Sequence, residues 1–126
     1  MQLDNEFNNL ILTYFPELKE KYVMLMDQEE DKTVDSYEFC IKVFLPYIEM
    51  LINDKNDNAV NRLMNMLEKM ISSNDSHLIN YGMSMIVEDI ANRNIDYDYL
   101  MKFANASLSK RIQPVIDYFN TENKQK

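Results

Sequence analysis

A single glycine, Gly82, and three prolines serve a chain of 126 residues, and this scarcity constrains the fold more than any other feature. Sheet proteins need glycine, proline or asparagine–glycine pairs at nearly every hairpin. A chain without them is built of helices joined by short polar loops. The 10 methionines agree, since methionine favours helices and fills irregular cores. Hydrophobic residues make up 46% of the chain, enough to bury one core in one domain.

Periodicity divides the chain into five to seven helices. Phe7, Leu10, Ile11 and Tyr14 predict a first helix over 4–14. Pro16 suits the first turn of a second, in which Leu18, Tyr22 and Leu25 share a side. The run from Asp27 to Lys32 is a polar loop. Asp35-Ser-Tyr-Glu38 resembles a capping box, with Asp35 capping the next helix and Glu38 reaching back. That helix runs to about Asn53 with Pro46 inside it, so a kink or break is expected near Leu45.

Over 58–72, Val60, Leu63, Met64, Leu67, Met70 and Ile71 follow i, i+3, i+4, i+7 spacing, opposite Asn61, Arg62, Asn65 and Lys69. The turn SSND, with Asp75 or Ser76 as cap, leads into a helix over 76–92. The pair 58–72/76–92 makes an antiparallel, HEAT-like helical hairpin. Asp96 caps a last helical region, 97–119, which Pro114 splits or kinks. The expectation is an all-α compact bundle, one domain over 1–120 with a frayed tail over 121–126.

The stretch HLINYGMSMIVEDI, 77–90, holds the only histidine and the only glycine. At about 100° per residue, His77, Asn80, Ser84, Glu88 and Ala91 share a polar face. Gly82 lies about 160° from its centre, beside Leu78, Ile79, Met85 and Ile86. The glycine therefore faces the core, where a close helix–helix approach offsets its cost, and the histidine faces water.

A lone histidine excludes the two Glu-x-x-His motifs of di-iron bundles, HExxH zinc proteases and Cys/His structural zinc sites. One glycine excludes a Gly-rich phosphate loop. Asp54-Lys-Asn56-Asp-Asn58 imitates the start of an EF-hand. Ala59 stands where that loop needs glycine, and Asn65 where it needs glutamate, so it reads as a helix link. Cys40, in the apolar run YEFCIKVFL, reads as a buried free thiol. No metal, cofactor or catalytic residue is expected, and the chain is read as not an enzyme.

The net charge of −8 disfavours direct binding to nucleic acid or an anionic membrane, and suits a basic protein partner. Residues 1–63 hold 13 acids and 6 bases, net −7, against 8 acids and 7 bases, net −1, in 64–126. Within the acidic half, Asp27, Glu29, Glu30, Asp31, Asp35 and Glu38 cluster, flanked by Tyr22 and Tyr37. This segment reads either as a solvated loop before a helix N-terminus or as a partner-binding patch with Tyr37 in it. Asp96, Tyr97, Asp98 and Tyr99, with Phe103, form a second candidate partner-binding group. Its plain reading is a capped helix with buried rings. The start MQLDNEFNN has neither a basic nor a long apolar region, and no apolar run nears the ~18 residues of a membrane span, so a cytoplasmic location is expected.

Phe15-Pro16-Glu17-Leu18 after a first helix, Tyr22 beyond it, and a later helix ending Ile86-Val-Glu88-Asp89-Ile90 resemble a family of small, uncharacterised all-helical bacterial proteins. The similarity spans roughly 7–120. Members of that kind occur among immunity proteins of bacterial toxin systems. The resemblance implies a helical fold and a role in neutralising a toxin, with no catalytic residues to carry over. The leading expectation is a non-catalytic inhibitor, of immunity or anti-defence type, that occludes a basic partner such as a nuclease. The alternative is a helical scaffold or homo-oligomerising module using an apolar face such as Tyr97–Phe103, its charge serving solubility.

Overall fold

Ala59, Val60, Leu63, Met64, Met66, Leu67, Met70 and Ile71 set apolar side chains around most of one helix, which can only lie at the centre of a bundle. A computed structural model, describing the backbone of residues 2–124 and the side chains of 6–120, shows that arrangement. Among the described residues there are seven helices and no strand. They are α1 (Gln2–Tyr14), α2 (16–27, opened by the 3₁₀ turn Pro16–Leu18), α3 (36–53), α4 (Asp57–Ile71), α5 (76–91), α6 (Tyr97–Met101) and α7 (Ala106–Lys124). α4 is the central helix, in contact with α1, α3, α5 and α7. One contiguous core runs from Phe7 to Ile112 and contains all six residues that periodicity assigned to α4's inner face.

Side-chain caps start the helices where the sequence indicates. Asp35 accepts from Glu38 N at 3.3 Å, Asp75 from His77 N at 2.9 Å and Asp96 from Tyr99 N at 3.0 Å. The Glu38 carboxylate turns to Lys42 Nζ, 3.4 Å away, rather than serving as the second half of a capping box. α3 ends in a Schellman turn: Asn56 N–H donates to Leu51 O and Lys55 N–H to Ile52 O, with Lys55 left-handed at φ 57°. Asn56 then caps α4 through Ala59 N, so 54–56 link the helices and 57–58 open α4.

Three expectations need correction. Of the kink or break expected near Leu45, the helix 36–53 shows no break. Instead Cys40–Phe44 forms a π turn, with Leu45 N–H donating to Cys40 O five residues back. A proline ring otherwise meets the carbonyl four residues before it, here that of Lys42, and the wider turn relieves this. Pro114 does not split the last region either: it sits exposed inside the continuous α7. The break lies earlier, at 102–105, where Asn105 Oδ1 accepts from Leu108 N at 2.8 Å and starts a new helix. Third, Ala91 is buried rather than on the polar face of α5. Tyr81–Val87 is a second π turn, so the phase of a regular helix drifts and carries Ala91 inward. His77, Asn80, Ser84 and Glu88 are exposed as expected. Of the expected frayed tail, 121–124 continues α7 and 125–126 lies outside the described residues.

α4 and α5 form the antiparallel hairpin, and Gly82 lies close against the end of α4. A Cβ on Gly82 would stand 3.3 Å from Ile71 Cγ1 and 3.5 Å from Met70 Cβ. The residues of the FPEL motif have structural duties. Phe15 and Leu18 are buried, Pro16 opens the 3₁₀ turn and Glu17 pairs with Arg62 of α4.

Candidate functional site

The acidic segment leaves the end of α2 and returns at the start of α3. Gln28 and Glu29 N–H bond back to Leu25 and Met26, which closes the helix end. Lys32 then takes a left-handed conformation, φ 59°, and turns the chain. Asp31 Oδ1 accepts from Thr33 N at 3.2 Å and from Thr33 Oγ1 at 2.7 Å. These bonds hold the Asp31 carboxyl below its ordinary pKa. Val34 inserts into the core, and buried Asn8 donates through Nδ2 to Val34 O at 3.0 Å. The loop is thus pinned at one buried residue between two helix ends.

Around that pin Asp27, Glu29, Glu30, Asp31 and Asp35 are exposed. Glu38 is half-buried and paired with Lys42. The only base in the segment, Lys32, approaches Asp27 at 3.9 Å, a loose pair with both side chains more than half exposed. Glu29 and Glu30 have no ion pair among the described residues. Tyr37 is 63% exposed, a large ring left in solvent beside these carboxylates.

The second group is arranged differently. Asp96 caps α6 and accepts from Lys55 Nζ at 2.5 Å, and these bonds lower its pKa. Lys55 also lies over the Tyr99 ring, 4.6 Å from its centroid. The Tyr99 hydroxyl donates to Asp57 at 2.6 Å, and its ring meets Phe103 edge-on at 5.3 Å. The Tyr97 hydroxyl donates to the carbonyls of Ile90 and Arg93. Asp96, Tyr97 and Tyr99 therefore tie α6 to the α3–α4 link and to the end of α5. Asp98 is exposed and lines an open groove with Gln113 and Asp117.

Other polar clusters are also structural. Arg93 joins Asp89, at 2.5 Å, to Glu49, at 2.6 Å, across α5 and α3. Cys40 is a buried free thiol, and its pKa is pushed up to about 12 by burial and the nearby Asp89 charge. Such a thiol is unreactive. Among the described residues no group of three or more His, Cys, Asp or Glu side chains is placed to hold a metal ion. No helix among them is long and apolar enough to cross a membrane.

One surface escapes a reading by residue type alone. Glu20, Val23, Met24 and Asp27 share one stripe of α2 at i, i+3, i+4 and i+7, with Val23 half-buried and the other three exposed. The signal was present in the apolar run YVMLM, which exceeds what one side of a helix can bury.

Over residues 8–119 the chain matches the family described as Domain of unknown function (DUF7674), and it belongs to that family. No curated protein and no solved structure matches it.

Proposed function

We propose that this DUF7674 protein is a non-catalytic binding protein whose acidic surface occludes a basic partner, a toxin or another nucleic-acid-processing enzyme. The observation that carries this reading is the segment 27–38, where five exposed carboxylates stand around a loop pinned by Val34 and Asn8. A pinned loop loses little conformational freedom on binding. Its negative field speeds encounter with a cationic surface and disfavours wrong partners. Enzymes that hold phosphate backbones present such cationic clefts. Tyr37, exposed among the acids, supplies the amphipathic ring common at interface cores.

The rival, an oligomerising scaffold, draws less support. The rings it would use, Tyr97, Tyr99 and Phe103, are half-buried, and both tyrosine hydroxyls are tied internally.

The test begins with affinity capture from the source cell and proceeds to binding measurements on the purified partner. Affinity should fall steeply between about 50 and about 300 mM salt. The triple reversal Glu29→Lys, Glu30→Lys, Asp31→Lys should abolish binding while the fold, checked by circular dichroism, stays intact. Light scattering on a sizing column should report a monomer. Unchanged binding by the triple variant would reject the acidic surface. A stable homo-oligomer hiding residues 97–103 would favour the scaffold.

A further inference from the structure

The helix Lys19–Asp27 carries five consecutive apolar residues, Tyr22 to Met26, yet none of its residues is buried. Its inner side accounts for three of them. The Tyr22 ring meets Phe39 edge-on at 5.1 Å, and Leu25 and Met26 pack partly against the core. Val23 and Met24 do not belong to that packing, and Met24 is 58% exposed. They lie on the stripe between Glu20 and Asp27, so two apolar side chains are bracketed by two carboxylates. Glu29, Glu30 and Asp31 follow directly beyond Asp27. Lys19 and Lys21 leave from the flanks of the helix, and Lys32 is the single base in the acidic turn.

We propose that this stripe seats a basic amphipathic helix of the partner. Apolar partner residues cover Val23 and Met24, while lysines or arginines meet Glu20, Asp27, Glu29 and Glu30. This rests on the acidic-surface reading above and adds the partner's form and the docking face. Charge selects the occupant. A second copy docked through the same stripe would bring two net-negative surfaces together. Nucleic acid and anionic lipid carry the same sign. A cationic helix with apolar residues at i, i+3, i+4 and i+7 matches both the spacing and the charge.

The probe is a labelled peptide of about 15 leucines and lysines, with leucine at i, i+3, i+4 and i+7, beside a scrambled peptide of identical composition. Fluorescence anisotropy on the full chain should show the amphipathic peptide binding roughly tenfold tighter than the scrambled one. Met24→Ser should erase that preference. It should leave the affinity for the scrambled peptide and the melting temperature unchanged, because Met24 is exposed. A preference that survives Met24→Ser, or equal affinity for the two peptides from the outset, overturns the docking face. The triple reversal at Glu29, Glu30 and Asp31 separates the two ideas. If it weakens both peptides while Met24→Ser alters neither, the stripe falls and the charge reading stands. If neither variant weakens binding, both fall.

Discussion

Arg62 and Glu17, 45 residues apart, form a two-pronged ion pair: Nη1 donates to Oε1 and Nη2 to Oε2, each at 3.0 Å. The same guanidinium donates to Tyr14 O at 2.9 Å and lies over the Phe15 ring at 4.6 Å. The Tyr47 hydroxyl completes the site on Glu17 Oε2 at 2.7 Å. This network joins the first turn of α2 to the central helix and to α3.

The pair makes stability depend on acid pH. Partial burial works against the charged carboxylate of Glu17. The Arg62 and Tyr47 hydrogen bonds, a backbone bond and the Arg62 charge outweigh it, lowering the pKa from 4.5 to about 2. A carboxyl depressed in the folded state adds stability above its unfolded pKa. That stability is lost as pH falls from about 4.5 to about 2. The Glu17 side chain is 35% exposed, so solvent screening reduces the contribution to about 1–2 kcal/mol. Glu17→Gln should lose that amount at neutral pH and show a flatter stability profile across the window. Urea midpoints of the variant that run parallel to the wild type between those pH values would refute this.

Gly82 sets the spacing of the α4–α5 hairpin. Alanine gains roughly 0.5–1 kcal/mol of helix propensity there, but its Cβ presses on Ile71 Cγ1 at 3.3 Å. Ile71 is buried and has little room to give, so the strain slightly exceeds the gain. Gly82→Ala should melt a few degrees below the wild type. Gly82→Val should cost at least ~2 kcal/mol, because its methyls enter the Met70 and Ile71 side chains. A Gly82→Ala protein that melts higher than the wild type would show the contact to be slack.

What the sequence disclosed follows from the range of each interaction. Inner faces and caps are local. The spacing of Val60 to Ile71 and the carboxylates of Asp35, Asp75 and Asp96 identified their helices directly. Pro46 announced an irregularity near Leu45 but not its form, the π turn at 40–44, and nothing in the apolar pattern of 81–87 marked the second π turn. Asn105 was legible in principle as a cap residue before Leu108, but Pro114 was the more conspicuous helix breaker. For the candidate site, the exposed run 27–31 was visible as charge density. Asp96 and Tyr99 carry the same chemistry, and their bonds to the distant Lys55 and Asp57 could not be read from local sequence.

Lys32 turns the acidic loop in a left-handed conformation, φ 59°, that glycine adopts without strain. Its compensation is small, since the pair with Asp27 is long, at 3.9 Å, and largely exposed. Lys32→Gly should therefore stabilise the protein by about 0.5–1 kcal/mol, despite removing a base from an acidic stretch. The check is chemical denaturation at about 50 mM and at about 500 mM salt. A loss of stability at low salt that disappears at high salt would mean that the lysine's charge outweighs its backbone strain.

Pro114 is the remaining local contradiction in a continuous helix. It removes one N–H from the α7 ladder and crowds the carbonyl of Lys110, yet it is exposed, so that carbonyl can turn to water. Alanine restores the hydrogen bond without removing any core contact. Pro114→Ala should raise stability by about 1–3 kcal/mol, a gain of several degrees in melting temperature for a domain of this size. Amide exchange offers the site-specific readout: the N–H that the substitution introduces should be protected to the level of Val115 and Ile116. An unprotected amide there, or an unchanged melting temperature, would mean that packing of α7 against α5 holds this turn open whatever residue occupies it.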